Sequence, residues 1–128
     1  MKLLLDTCTF LWLVTNDPQL SPMARALVAD ASNAVHLSVA SAWEIVVKHK
    51  LGRLPLPEDP ATLVPVERER HRIDALDIDE LAVLNLSRLP PLHRDPFDRI
   101  LVSQAIVGGL AVVTPDRLIQ QYPVRVLW

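Results

Sequence analysis

The sequence predicts an α/β fold of three layers, α/β/α, with a central, mainly parallel sheet and helices on both faces. Three observations predict it. Short continuous apolar runs at residues 3–5 and 110–113 have the length and composition of strands buried on both sides, and Val35-His36-Leu37 reads as a further short strand. Segments with helical spacing and helix-start residues separate them. Acidic residues stand just past two of the runs, where parallel sheets place their ligand sites.

Residues 3–5 form the first strand. Residues 7–14 follow as a helix or helical turn, with Phe10, Leu11 and Val14 at helical spacing, until Asn16-Asp17-Pro18 breaks it. Ser21-Pro22 joins a cap to a first-turn proline and opens a helix over 23–30. A second strand covers 35–37, and Ser38 caps a long helix to Leu51, which Gly52 ends. Asp59-Pro60 starts another helix. Pro65 is expected to disturb it, because proline has no N–H for the helix interior.

A third strand is expected at 73–76. Asp77 or Asp79 then caps a helix to Arg88, and Leu89-Pro90-Pro91-Leu92 is a loop. Residues 95–107 form a helix that Gly108-Gly109 stops, and 110–113 are the fourth strand. Thr114-Pro115-Asp116 turns into a short helix to Gln121, and 124–127 are a last strand at an edge.

The chain is long enough for one domain, residues 1–128, and too short for two of ordinary size. A domain of this size buries roughly two thirds of its unfolded surface, so it needs no disulfide or structural metal. With 3 Gly against 11 Pro, there is no Gly-rich phosphate loop. Cys8 is the single cysteine, which excludes an intrachain disulfide and a Cys/His zinc site and suits a reducing cytoplasm. Asp6 interrupts the apolar start, so it is expected to be a core strand and not a signal peptide. No apolar run approaches the roughly 20 residues of a membrane span.

The net charge of −2 does not advertise a nucleic-acid binder, but an acid cluster that holds metal lowers the formal charge, and its ions invert the local field. Basic residues gather at Lys48-His49-Lys50 with Arg53, and at Arg68-Glu69-Arg70-His71-Arg72. A solvated helix surface and a phosphate track both remain open for them.

The acids are the informative residues. Asp6 ends the first apolar run, Asp116 follows the fourth strand, and Asp95 and Asp98 open the helix between them. Glu44 is the one charged residue from Leu37 to Val47. Carboxylates in such places are costly to bury without a cation. Few of these have Lys or Arg beside them, so their convergence points to Mg²⁺ or Mn²⁺ and to metal-assisted phosphodiester chemistry. Each has a local alternative. Asp6 could cap the helix at Thr7, and Asp116 could be a turn residue. Asp95 and Asp98 fit a helix cap with an acid three positions on, which explains Asp95 better than Asp98. Glu44 could pair with Lys48 one turn later. His36, His49, His71 and His93 lack zinc spacing and are expected mostly at the surface. Cys8 is expected in the core, and the tryptophans are expected to pack.

Four motifs then carry a resemblance. Leu4-Leu5-Asp6-Thr7 resembles the opening of the PIN-domain ribonucleases. Ser38-Val39-Ala40-Ser41-Ala42-Trp43-Glu44-Ile45, with Lys48 and Gly52-Arg53-Leu54, is similar to their second motif. His93-Arg94-Asp95-Pro96-Phe97-Asp98-Arg99 with Gln104-Ala105 resembles the third, and Val113-Thr114-Pro115-Asp116 the fourth. The match runs nearly the whole chain in the family's order. It implies a PIN-like fold and an acidic metal centre of Asp6, Glu44, Asp98 and Asp116. Asp95 is an extra acid, that of the Asp-Pro-Phe-Asp variant of the third motif, and Thr114 fits the hydroxyl beside the site. It also implies Mg²⁺ or Mn²⁺, an RNA substrate, a homodimer and a cognate antitoxin over the active site, as in VapC-type toxins of type II toxin–antitoxin pairs. Asp6 and Asp98 would ligate the principal ion, and Glu44 and Asp116 a second ion or its waters, for hydrolysis by metal-activated water. No substrate-binding residue is singled out.

The rivals are weaker. A receiver domain needs a late lysine, and Lys2, Lys48 and Lys50 are the only lysines. An Asp-X-Asp phosphatase fails at Asp6-Thr7-Cys8. The non-enzymatic alternative is an inactive PIN-like protein-binding scaffold, against which the full set of acids stands.

Overall fold

Leu3, Leu4 and Leu5 form the middle of a five-stranded sheet, in a computed structural model that describes residues 1–128. The strands are β1 (Lys2–Leu5), β2 (Ala34–Ser38), β3 (Ile73–Leu76), β4 (Ala111–Val113) and β5 (Val126–Leu127). Their order is β3-β2-β1-β4-β5, and every pairing is parallel. Leu4 lies opposite His36 on one side and Val112 on the other.

Strand side chains alternate between faces, so β1 feeds two cores. Leu3 and Leu5 join Phe10, Val35, Leu37, Ile45, Leu63 and Val113 on one side. Leu4 joins Ile100, Leu101, Val102, Val112 and Ile119 on the other. The three expected layers follow from this alternation. Leu4→Ala should therefore cost about 2–5 kcal/mol, since neither face of a sheet's middle strand can collapse into the space left. Urea unfolding at neutral pH measures it, with a lowered midpoint and an unchanged slope.

Local chemistry sets the helices. They are α1 (Thr7–Val14), α2 (Pro22–Ala29), α3 (Val39–Lys50), α4 (Pro60–Arg70), α5 (Glu80–Asn85) and α6 (Pro96–Gly108). Ser21, Ser38, Asp59, Asp79 and Asp95 each accept a backbone N–H as N-caps. Asp79, not Asp77, is thus the cap before α5, whose last turn tightens into a 3₁₀ turn at Leu86–Arg88. Gly109 ends α6 in a left-handed conformation with φ 66°.

Two expectations change. Helix α4 runs unbroken through Pro65. Pro65 leaves the carbonyl of Ala61 without its helical donor, but both residues are exposed and water can serve it. The expected helix to Gln121 is only a 3₁₀ turn at Ile119–Gln121.

The chain builds outward from β1 through β2 to β3, then returns to lay down β4 and β5. The switch point therefore lies between β1 and β4, and ligands of such sheets bind there, beyond the strands' carboxyl ends. Asp6 follows β1, and Thr114-Pro115-Asp116 follows β4. The helix starts are tied to this rim. Ser38 Oγ donates to Gln104 Oε1 (2.6 Å), and Thr9 Oγ1 donates to the Val113 carbonyl (2.7 Å). No helix is long and apolar enough to cross a membrane.

Candidate metal-binding site

Asp6 is buried at the switch point. It caps α1, with Oδ1 accepting from the Thr7 N–H (2.8 Å), and Oδ2 accepts from Thr114 Oγ1 (2.7 Å). Capping and site placement, alternatives in the sequence, are thus two uses of one carboxylate. Burial pushes its pKa above the usual aspartate range. The bonds from Thr114 and Thr7 offset part of this, and the charges of Glu44 and Asp116 add to it. Thr114 Oγ1 also accepts the Asp116 N–H (3.0 Å), so one buried hydroxyl links the acids after β1 and β4.

Glu44 comes from the second turn of α3 and is 5% exposed. Thr7 Oγ1 donates to its Oε1 (2.7 Å) and sits 2.9 Å from Ser41 Oγ. Lys48 donates to Oε2 from one turn on. The pairing with Lys48 is therefore real, and Glu44 is buried in the site as well. The bond to Glu44 raises the Lys48 pKa, and the nearby Asp95 and Asp98 charges add to it.

The start of α6 brings two more acids. Asp95 caps the helix, its Oδ1 accepting from the Phe97 N–H (2.9 Å). Asp98 lies at the third helical position, and no protein donor reaches it. Burial, with the charges of Asp6 and Asp95, pushes its pKa up to about 7, while His93 pulls the other way. Asp116 holds the Leu118 N–H through Oδ1 (2.8 Å) and His93 Nε2 through Oδ2 (2.9 Å).

All five acids line one pocket of about 470 Å³ together with Thr7, Cys8, Lys48 and Arg53. A similar hollow at the opposite end of the strands, beside Lys2 and Arg125, has no carboxylate in its wall. Hard oxygen donors whose charges raise the pKa of Asp6 and Asp98, the latter without a protein donor, form a donor set suited to Mg²⁺ or Mn²⁺. Lys48 offsets only part of the charge.

Three placements differ from expectation. Cys8 is half-buried in the pocket wall, not in the core, with Sγ 3.8 Å from Asp6 Oδ2. Burial and the Asp6 charge push its thiol up to about 12, so it is no nucleophile at neutral pH. Trp43 is 61% exposed and meets Phe97 edge-on, whereas Trp12 and Trp128 pack together. His93 is not a surface residue but part of the site, with one atom each of His93, Asp98 and Asp116 within 4.8 Å of one another. Its place two residues before Asp95 in the third motif marks it in the sequence, whereas zinc-ligand spacing does not.

A parallel α/β/α sheet whose switch point opens into a carboxylate-lined pocket defines a PIN-like protein. The chain belongs to the PIN domain family, whose model matches residues 3–124. It is 46% identical over 55 residues to Ribonuclease VapC16 of Mycobacterium tuberculosis. That match covers 43% of this chain and 39% of the relative, so it spans about two fifths of the relative's length. Three solved structures share the fold. VapBC2 of Rickettsia felis, bound to a DNA fragment from its promoter, has a TM-score of 0.73 at 14% identity, covering 99% of this chain and 98% of that one. DNA-bound VapBC of Salmonella typhimurium has a TM-score of 0.70 at 21% identity, covering 99% and 97%. VapBC-1 of nontypeable Haemophilus influenzae has 0.64 at 14%, covering 99% and 97%.

Proposed function

We propose that this chain is a metal-dependent endoribonuclease and the toxin of a VapC-type toxin–antitoxin pair, acting on RNA in the cytoplasm. The convergence of five acids at the switch point, with Asp98 left without a protein donor, carries the proposal. The ribonuclease named among its relatives and the VapBC complexes among its structural neighbours support it.

Asp6 and Asp98 would hold the principal ion, and Glu44 and Asp116 a second ion or its waters. When bound, Mg²⁺ or Mn²⁺ supplies a more acidic water and stabilises charge on the phosphate. The chain's own groups prepare the site. Thr114 keeps the Asp6 carboxylate turned into the pocket. Thr7 and Lys48 hold Glu44 at both oxygens. Lys48 and Arg53 are the cations in the wall, placed to meet phosphate oxygens. Asp95 already serves as a cap and has one oxygen left for the site.

A homodimer fits an apolar stripe on α3, where Val39, Trp43 and Val46 are exposed one turn apart. The pocket mouth is the place for an antitoxin to cover. The decisive experiment is incubation of the purified chain, free of antitoxin, with a mixed RNA pool. Cleavage should appear with Mg²⁺ or Mn²⁺ and vanish with chelator. Cleavage that persists in chelator, or an inert protein that binds no Mn²⁺ by calorimetry, would overturn the proposal, the latter favouring a scaffold.

A further inference from the structure

His93 sits 23 residues before Asp116 and 29 before Tyr122, yet it is bonded to both. Tyr122 is buried, and its hydroxyl oxygen accepts the His93 backbone N–H (3.1 Å) and lies 3.0 Å from Nδ1. The two rings stack at 18°, with centroids 5.5 Å apart. Nε2 lies 2.9 Å from Asp116 Oδ2. A carboxylate only accepts, so Nε2 must be the protonated nitrogen. Nδ1 then offers a lone pair, which the Tyr122 O–H fills. One neutral tautomer satisfies every atom. The loop that presents His93 is fastened as well, because the Arg99 guanidinium donates to the carbonyls of Pro90 (3.0 Å) and Leu86 (3.2 Å).

We propose that Tyr122 and His93 form a positioning relay that aims the Asp116 carboxylate at the bound ion. This rests on the metal-holding role proposed for Asp116. Oδ1 is held by the Leu118 N–H and Oδ2 by His93, so the carboxylate plane is fixed from both ends, and each oxygen keeps a lone pair for an ion or its water. The Nε2–H hydrogen is already committed to Asp116, which makes His93 a partner of a ligand and not a ligand itself. Such outer partners orient the groups that bind metal, and losing one typically costs about 10- to 100-fold in metal affinity.

Mn²⁺ affinity, measured by calorimetry on the purified chain, tests the relay without reference to cleavage. Asn at position 93 keeps a polar atom near Nδ1 but does not reach Asp116. Gln reaches the place of Nε2 with an N–H. His93→Asn should weaken Mn²⁺ binding about 10- to 100-fold, and His93→Gln should restore most of it. Tyr122→Phe frees the ring and should weaken binding by a smaller factor. Metal-free circular dichroism confirms that each variant is folded. If His93→Asn binds Mn²⁺ within twofold of the parent while Asp116→Asn and Asp6→Asn do not bind it, the relay is wrong and the metal centre stands. If His93→Gln loses as much as His93→Asn, the imidazole itself is the ligand and the relay is again wrong. If Asp6→Asn and Asp116→Asn bind Mn²⁺ like the parent, the proposed metal centre itself fails.

Discussion

Asp6→Asn should abolish RNA cleavage and leave the metal-free protein at least as stable as the parent. The two outcomes separate because Asp6 has two jobs. As a cap it uses Oδ1, and asparagine keeps an acceptor there for the Thr7 N–H. Thr114 can turn its hydroxyl to accept from the new amide instead of donating to Oδ2. The charge is what the proposed metal centre needs, and it is also what the fold resists: burial raises the Asp6 pKa, and Glu44 and Asp116 raise it further. Removing the charge relieves that cost. Cleavage should fall by more than about a hundredfold, since even an outer partner of a ligand is worth up to that much. Product formation on the RNA pool and thermal melting in chelator measure the two effects. Parent-like cleavage, from protein rigorously freed of other nucleases, removes Asp6 from the mechanism. A folded-state collapse would show that the cap matters more than the charge.

Metal-free protein should lose stability as pH rises from about 4 to about 7, and divalent metal should reverse the trend. Asp98 has a pKa of about 7 against an ordinary 3.8, so the folded state holds a proton that the unfolded chain has already lost. Stability rises with pH only where the unfolded state binds more protons; here the folded state binds more, so stability falls across that window. Below about pH 4 both states are protonated, and above about pH 7 neither is. Asp6 is shifted in the same direction and contributes to the same slope. A cation binds the ionised acids, so its stabilisation is greatest above about pH 7. At a hundred times its dissociation constant it adds about 2.7 kcal/mol. For a chain of this length that raises the melting temperature by roughly 10 °C. Melting curves at pH 5 and pH 8, with chelator or with Mn²⁺, read both effects. Asp98→Asn should flatten the metal-free slope and remove most of the Mn²⁺ shift. An unchanged slope in that variant would place the proton elsewhere.

Much of this was legible in the chain. Caps such as Ser21, Ser38 and Asp95 act within three residues of themselves, so their effect can be read locally. Strands buried on both faces announce themselves as continuous apolar runs. Acids after such strands lie at the rim by topology alone, which brings Asp6 and Asp116 to the same end of the sheet. Glu44 stood out because its apolar neighbours left little room for a solvated face.

Other features needed the third dimension. Whether Glu44 belonged to Lys48 or to the site had no local answer, because both partners reach it at once. Pro65 looked like a break, but the carbonyl it strands faces water, and exposure is set by packing. Cys8 left the core for the pocket wall. His93 carried no local sign of its partners. The elements, their order and the acids at their ends are written in the chain, because short-range hydrogen bonds and side-chain periodicity decide those. Which groups share a proton or a donor came from packing, because Thr114 meets Asp6 beyond two adjacent strands and Tyr122 meets His93 between two loops, at separations no local pattern encodes.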